Sequence, residues 1–183
     1  MTNRGNDVID IHESNENKTH LLGKYGDYDF NDIINTFKPK AFKIEYPLDS
    51  KSSNTISMFT SIKRCNDIKK DYENSHNIKY DIVVRSRFDL IFNNPMIISD
   101  VYPNTLYVKH RPGGCGGLND WFAYGDYNVM DLYGNIISSI DDLGLKSNCA
   151  EGVIGNYVNR NGIKVQYLID SFSIMRNDGN PVI

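Results

Sequence analysis

Three β-branched residues in succession, Ile82-Val83-Val84, run directly into Arg85-Ser86-Arg87-Phe88-Asp89. A continuous run of this kind reads as a strand, and its lack of polar alternation predicts burial on both faces, as inside a parallel sheet covered by helices. The charged residues then fall at the carboxyl end of the strand, where open α/β sheets bind ligands. In extended backbone Arg85, Arg87 and Asp89 share one face, so two guanidinium groups and a carboxylate project together. Arginine meets phosphate oxygens bidentately, and Asp89 is able to hold a divalent cation that bridges two phosphates, so the group suits a diphosphate. A structural ion pair, Asp89 neutralising Arg87 at the sheet edge, explains the same residues equally well.

The remainder of the chain alternates strand and helix patterns. Asp7 to Ile11 is short and β-branched. Phe30, Ile33, Ile34 and Phe37 mark one face of a helix that Asp27 or Asp29 would cap, and Ala41 to Tyr46 alternates as a strand. From Ser53 to Asn74 the positions Ile56, Phe59, Ile62, Cys65, Ile68 and Tyr72 step by three or four, predicting a long amphipathic helix. Thr105 to Lys109 reads as a strand, Tyr127 to Ser138 and Ala150 to Asn161 as helices, and Lys164 to Ile169 and Phe172 to Arg176 as closing strands. This order predicts an α/β fold with a doubly wound sheet in a single domain.

Composition narrows the function. With 20 basic against 23 acidic residues the chain has no broad positive field, so nucleic acid is not the expected partner. No segment approaches the ~18 apolar residues of a membrane span. Cys65, Cys115 and Cys149 are odd in number and form no Cys-x-x-Cys pair, which argues against a disulfide framework or zinc site and points to a reducing, cytoplasmic setting.

Other stretches offer candidate chemistry. Gly113-Gly114-Cys115-Gly116-Gly117 matches neither a Walker loop nor a dinucleotide-binding turn and reads as a mobile surface loop, with a backbone N–H cradle for an anion and a loop that closes over substrate as the alternatives. Beside it, Asn119-Asp120-Trp121-Phe122-Ala123-Tyr124-Gly125 joins the only Trp to a carboxylate, a pairing that suits a sugar, although Trp121 and Phe122 also fit a core. Glu151 opens a helix, where a carboxylate offsets the dipole. The four histidines show no metal-ligand spacing.

Taken in order, Met58 to Asn66 (Met-Phe-Thr-Ser-Ile-Lys-Arg-Cys-Asn), Tyr80 to Asp89, Asn119 to Gly125 and Glu151 resemble small GT-A-type glycosyltransferases of the group found in bacterial surface-polysaccharide clusters and large DNA viruses. The likeness runs from about Asp7 to Arg176. It implies one GT-A-like, Rossmann-related domain over residues 1–183, with a mainly parallel central sheet flanked by helices. It implies a hexosyltransferase-type enzyme that moves a sugar from a nucleotide-diphosphate donor to a glycan or protein-linked hydroxyl. Arg85, Arg87 and Asp89 would take the donor diphosphate, Asp120 would act as general base with Glu151 as the alternative, and Asn119 and Trp121 would meet the sugar or acceptor. In the family an Asp-x-Asp segment holds Mn²⁺ or Mg²⁺. Here Asp89 matches its acidic end and Arg87 replaces the other aspartate. The family's first strand–loop–helix unit has no counterpart, since Asp7 to His12 corresponds to the second strand. An N-terminally truncated enzyme, or a non-catalytic nucleotide-sugar or carbohydrate-binding remnant, is expected on that ground. A structural partner protein presenting exposed aromatics is the third reading.

Overall fold

Short β-branched segments near the N-terminus pair in parallel: β1 (Val8–His12) lies beside β2 (Ala41–Glu45), with Val8 opposite Ala41. Between them α1 (Phe30–Phe37) supplies the helical crossover that parallel pairing needs. The computed structural model describes residues 8–12, 30–45, 53–98, 100–110, 117–140, 149–168, 172–175 and 181–182. Asp27, Asp29 and the Arg111 to Gly116 part of the glycine loop lie outside them. Two compact units divide the chain, Met1–Ile78 and Lys79–Ile183.

In the first unit Ser53 starts the longest helix, α2 (Asn54–His76), by accepting the Ile56 backbone N–H on its Oγ at 3.3 Å. Asn77 ends it in the left-handed region at φ 50°. The buried stripe is Thr55, Phe59, Ile62, Asn66, Lys69 and Glu73, so its second half is polar. Cys65, Ile68 and Tyr72, expected on the buried face, are only half-buried. Lys69 and Glu73 make this tolerable by pairing at 2.9 Å, one turn apart.

The second unit holds the remaining elements. β3 (Ile82–Ser86), β4 (Leu90–Phe92), β5 (Thr105–Lys109) and β6 (Phe122–Asp126) precede α3 (Tyr127–Gly134) and a 3₁₀ turn at Ile136–Ser139. Then come α4 (Ala150–Arg160), β7 (Lys164–Leu168), β8 (Phe172–Met175) and β9 (Pro181–Val182). Strands order as β3-β6-β5-β7 in one sheet and β4-β8-β9 in another.

The expected mainly parallel, Rossmann-related sheet is not what forms. β3 and β6, β5 and β6, β4 and β8, and β8 and β9 all pair antiparallel, and among the described residues of this unit only β5 and β7 run parallel. Connectivity gives the reason. β5 and β6 follow one another with no helix between them among the described residues and return antiparallel, whereas α3 and α4 lie between β5 and its parallel partner β7. The Ile82-Val83-Val84 run is correspondingly an edge strand with Ile82 and Val84 exposed at 37% and 45%, not one buried on both faces.

Register sorts the sheet into two faces. Tyr107 lies opposite Tyr124, their rings stacked at 4.6 Å, and with Phe122 and Phe172 they form one core cluster. Val108 and Arg85 both lie opposite Ala123, so Arg85, Ala123 and Val108 share the other face. The carboxylate of Asp126 fixes how α3 leaves β6: Oδ1 accepts from Val129 N at 2.8 Å and Oδ2 from Asn104 N at 3.0 Å.

Candidate functional site

Arg85 is half-buried near the end of β3, and its Nη1 is buried without a hydrogen-bond partner. α3 packs against β3, β5 and β6. It carries Tyr133, which is 2% exposed and whose hydroxyl is likewise buried with no partner. Burial pushes the Tyr133 phenol up; Arg85 opposes that rise and Asp120 adds to it, which places all three within electrostatic reach. Two unsatisfied polar groups in one neighbourhood are costly, about 1–3 kcal/mol each, and sites that hold such groups are candidates for ligand chemistry.

Asp120 arrives from the opposite direction, on the segment that leads into β6. Because β6 runs antiparallel to β3, with Phe122 opposite Ser86, the residues just ahead of β6 meet the residues just after β3. That segment is clamped to the first turn of α4. Leu118 N donates to the Glu151 carbonyl at 3.1 Å, and a Cβ on Gly117 would overlap the same carbonyl. Burial holds the Asp120 carboxyl above its ordinary 3.8; Glu151 pushes the same way, while Arg85 and Arg87 and a hydrogen bond from its own backbone pull it down. Three other residues picked from sequence, Arg85, Arg87 and Glu151, thereby act electrostatically on the half-buried Asp120 carboxyl.

The others take different places. Asp89 receives Arg87 bidentately, Nε to Oδ1 at 2.8 Å and Nη2 to Oδ2 at 2.6 Å, which is the ion pair weighed as the alternative reading of these residues. Each of its oxygens keeps a further acceptor site, and among the described residues no three Asp, Glu, His or Cys side chains gather to hold a metal. Asn119 is 3% exposed and holds the turn, its Oδ1 accepting from Trp121 N at 2.9 Å. Trp121 packs partly buried against the Tyr107 cluster, with the Lys109 ammonium 5.3 Å from its ring. Lys109 itself is buried and donates to the Phe172 carbonyl.

Both partners of the Arg87–Asp89 pair are 37% exposed, and such pairs contribute about 0.2–1 kcal/mol. Asp89→Ala is therefore expected to unfold within about 1 kcal/mol of the parent in a urea titration; a loss above about 2 kcal/mol would show that the pair anchors the strand end.

Tyr133 is the site neighbour that sequence reasoning missed. At helical spacing an aromatic reads as core, and only the electrostatic reach of Arg85 and Asp120 gives its hydroxyl significance. The cysteine reading also changes. Cys149 is disulfide-bonded, and a bond closed by the fold rather than by a short motif leaves no spacing signature. The Cys149 sulfur lies 3.3 Å from Glu151 Oε2. Among the described residues no helix is long and apolar enough to cross a membrane.

No curated protein and no solved structure matches the chain. A family model does match, over residues 50–177, a span that contains Arg85, Arg87, Asp120, Tyr133 and Glu151. The chain belongs to that family, described as "Domain of unknown function (DUF7796)".

Proposed function

We propose that this chain transfers a sugar from a nucleotide-diphosphate donor to a glycan or protein-linked hydroxyl. The observation that carries the reading is the gathering of Arg85, Arg87 and Glu151 around Asp120. A buried guanidinium N–H with no partner leaves charge that an anion bound beside it would offset, and Arg87 adds a second positive group. These two arginines receive the departing diphosphate. Asp120 takes the proton of the acceptor hydroxyl as the new bond from acceptor oxygen to anomeric carbon forms and the bond to the diphosphate oxygen breaks. A carboxyl lifted above the ordinary aspartate value is a stronger base once ionised, and Glu151 is the alternative acceptor of that proton. Asp89, paired to Arg87 through both oxygens, sets where that guanidinium stands.

Calorimetry with uridine and guanosine diphosphate sugars tests the binding half. Arg85→Gln is expected to weaken the donor by at least about tenfold, the loss of one charge-assisted hydrogen bond. Equal affinity in parent and variant would remove Arg85 from the site.

The Arg87–Asp89 pair favours one further reading, a non-catalytic binder of nucleotide sugar or carbohydrate, because one of the two arginines is already neutralised. Tight donor binding with neither transfer nor donor hydrolysis would select it.

A further inference from the structure

Helix α4 concentrates its weakest helix formers on one stripe. Gly152, Gly155, Asn156 and Asn159 recur at spacings of three, one and three residues along one side, while Val153, Ile154, Tyr157 and Val158 are buried. Each glycine costs a helix about 1 kcal/mol relative to alanine, and asparagine costs about half that or more. Close packing does not demand Gly155, since a Cβ there would lie 3.4 Å from the Gly117 Cα, an ordinary contact. What the stripe borders is a cleft of about 360 Å³ whose lining also includes Gly117 and, from β7, Tyr167. That volume falls at the lower end of the range for small-ligand sites, enough for one or two sugar rings.

The lining chemistry names the ligand class. Among the described residues of its lining none is Asp, Glu, Lys, Arg or His, so these offer an ionic ligand no counter-charge. Asn156 and Asn159 are exposed and three residues apart on the helix, which puts their amides side by side. An amide both donates and accepts, as does a sugar hydroxyl. Tyr167 is 46% exposed and offers a ring to the C–H face of a pyranose, and the His110 ring meets it edge-on at 5.2 Å.

We infer that this cleft binds a neutral saccharide. Resting on the transfer reading above, it is where the acceptor glycan is held, since two of its lining residues, Gly117 and Gly152, adjoin the Glu151 backbone. Saturation-transfer NMR on the full chain, with a panel of neutral disaccharides in one arm and nucleotide sugars in the other, tests both parts separately. The parent and Asp120→Asn are expected to transfer saturation to a neutral disaccharide. Asn156→Ala/Asn159→Ala is expected to bind it at least about tenfold more weakly, the loss of two hydrogen bonds. Tyr167→Ala should give a similar loss, and circular dichroism confirms that each variant is folded. Failure of every neutral disaccharide, unchanged affinity in both cleft variants, or preference for a uronate over its neutral counterpart would overturn the cleft assignment even where nucleotide sugars bind. Disaccharide binding without nucleotide-sugar binding supports the cleft and instead overturns the transfer reading.

Discussion

Asp120→Asn is expected to cut sugar transfer by about 10²–10⁴-fold, the usual contribution of a positioned general base, while donor affinity stays equal or rises. Affinity should not fall because the substitution removes a negative charge from the surroundings of Arg85 and Arg87. The same variant has a stability signature. Burial, with Glu151 adding to it, raises the folded Asp120 carboxyl above 3.8. Between the unfolded value and the raised one, the native state keeps a proton that the unfolded chain has lost. Stability from this group is therefore fully present below the unfolded value and falls as pH rises through the folded one. Asparagine does not titrate, so the variant should gain on the parent over that window. Thermal midpoints of both proteins from about pH 3 to pH 8 would show the gap. A difference flat in pH would mean that Asp120 is not desolvated, and transfer within about twofold of the parent would dismiss it as the base and leave Glu151.

Gly117→Ala should damage the site from a distance of three residues. Its methyl group would overlap the Glu151 carbonyl, backbone that has no side-chain freedom with which to move aside. Overpacking against backbone costs about 1–3 kcal/mol and displaces either the segment carrying Asp120 or the first turn of α4. Transfer should fall by at least about tenfold along with stability, because a small misplacement of reacting groups is itself costly. Denaturant unfolding and a transfer assay on the same preparation check this. Parent-like values in both would mean that the 117–118 clamp does not set the position of Asp120.

Much of the local structure was legible in the residues. The spacing of Phe30, Ile33, Ile34 and Phe37 gave α1, the steps of three and four from Ile56 to Tyr72 gave α2, and Thr105 to Lys109 gave β5, because period is written in neighbouring positions. Sheet topology was not. A run such as Ile82-Val83-Val84 suits a half-exposed edge as well as a buried parallel strand, and only its pairing with β6 decides between them. β6 escaped notice because Phe122-Ala123-Tyr124-Gly125 looks like an aromatic binding loop when its partner strands are unseen. The site divides in the same way. Charged residues at a strand end and a helix start announced themselves, but the choice Arg87 makes for Asp89 is a matter of geometry. Tyr133, identical in pattern to any core aromatic, becomes visible only beside Arg85 and Asp120.

The chain has a single tryptophan, and it is the residue that follows Asp120. Its ring is wedged against the Tyr107 cluster beside a buried ammonium, and its backbone N–H is held by Asn119. Indole emission responds to nearby charge and to water access, so Trp121 is a built-in optical reporter on the turn that carries the carboxyl. Occupancy at Asp120 can be followed by intrinsic fluorescence in unlabelled protein, with no competing indole elsewhere to dilute the signal.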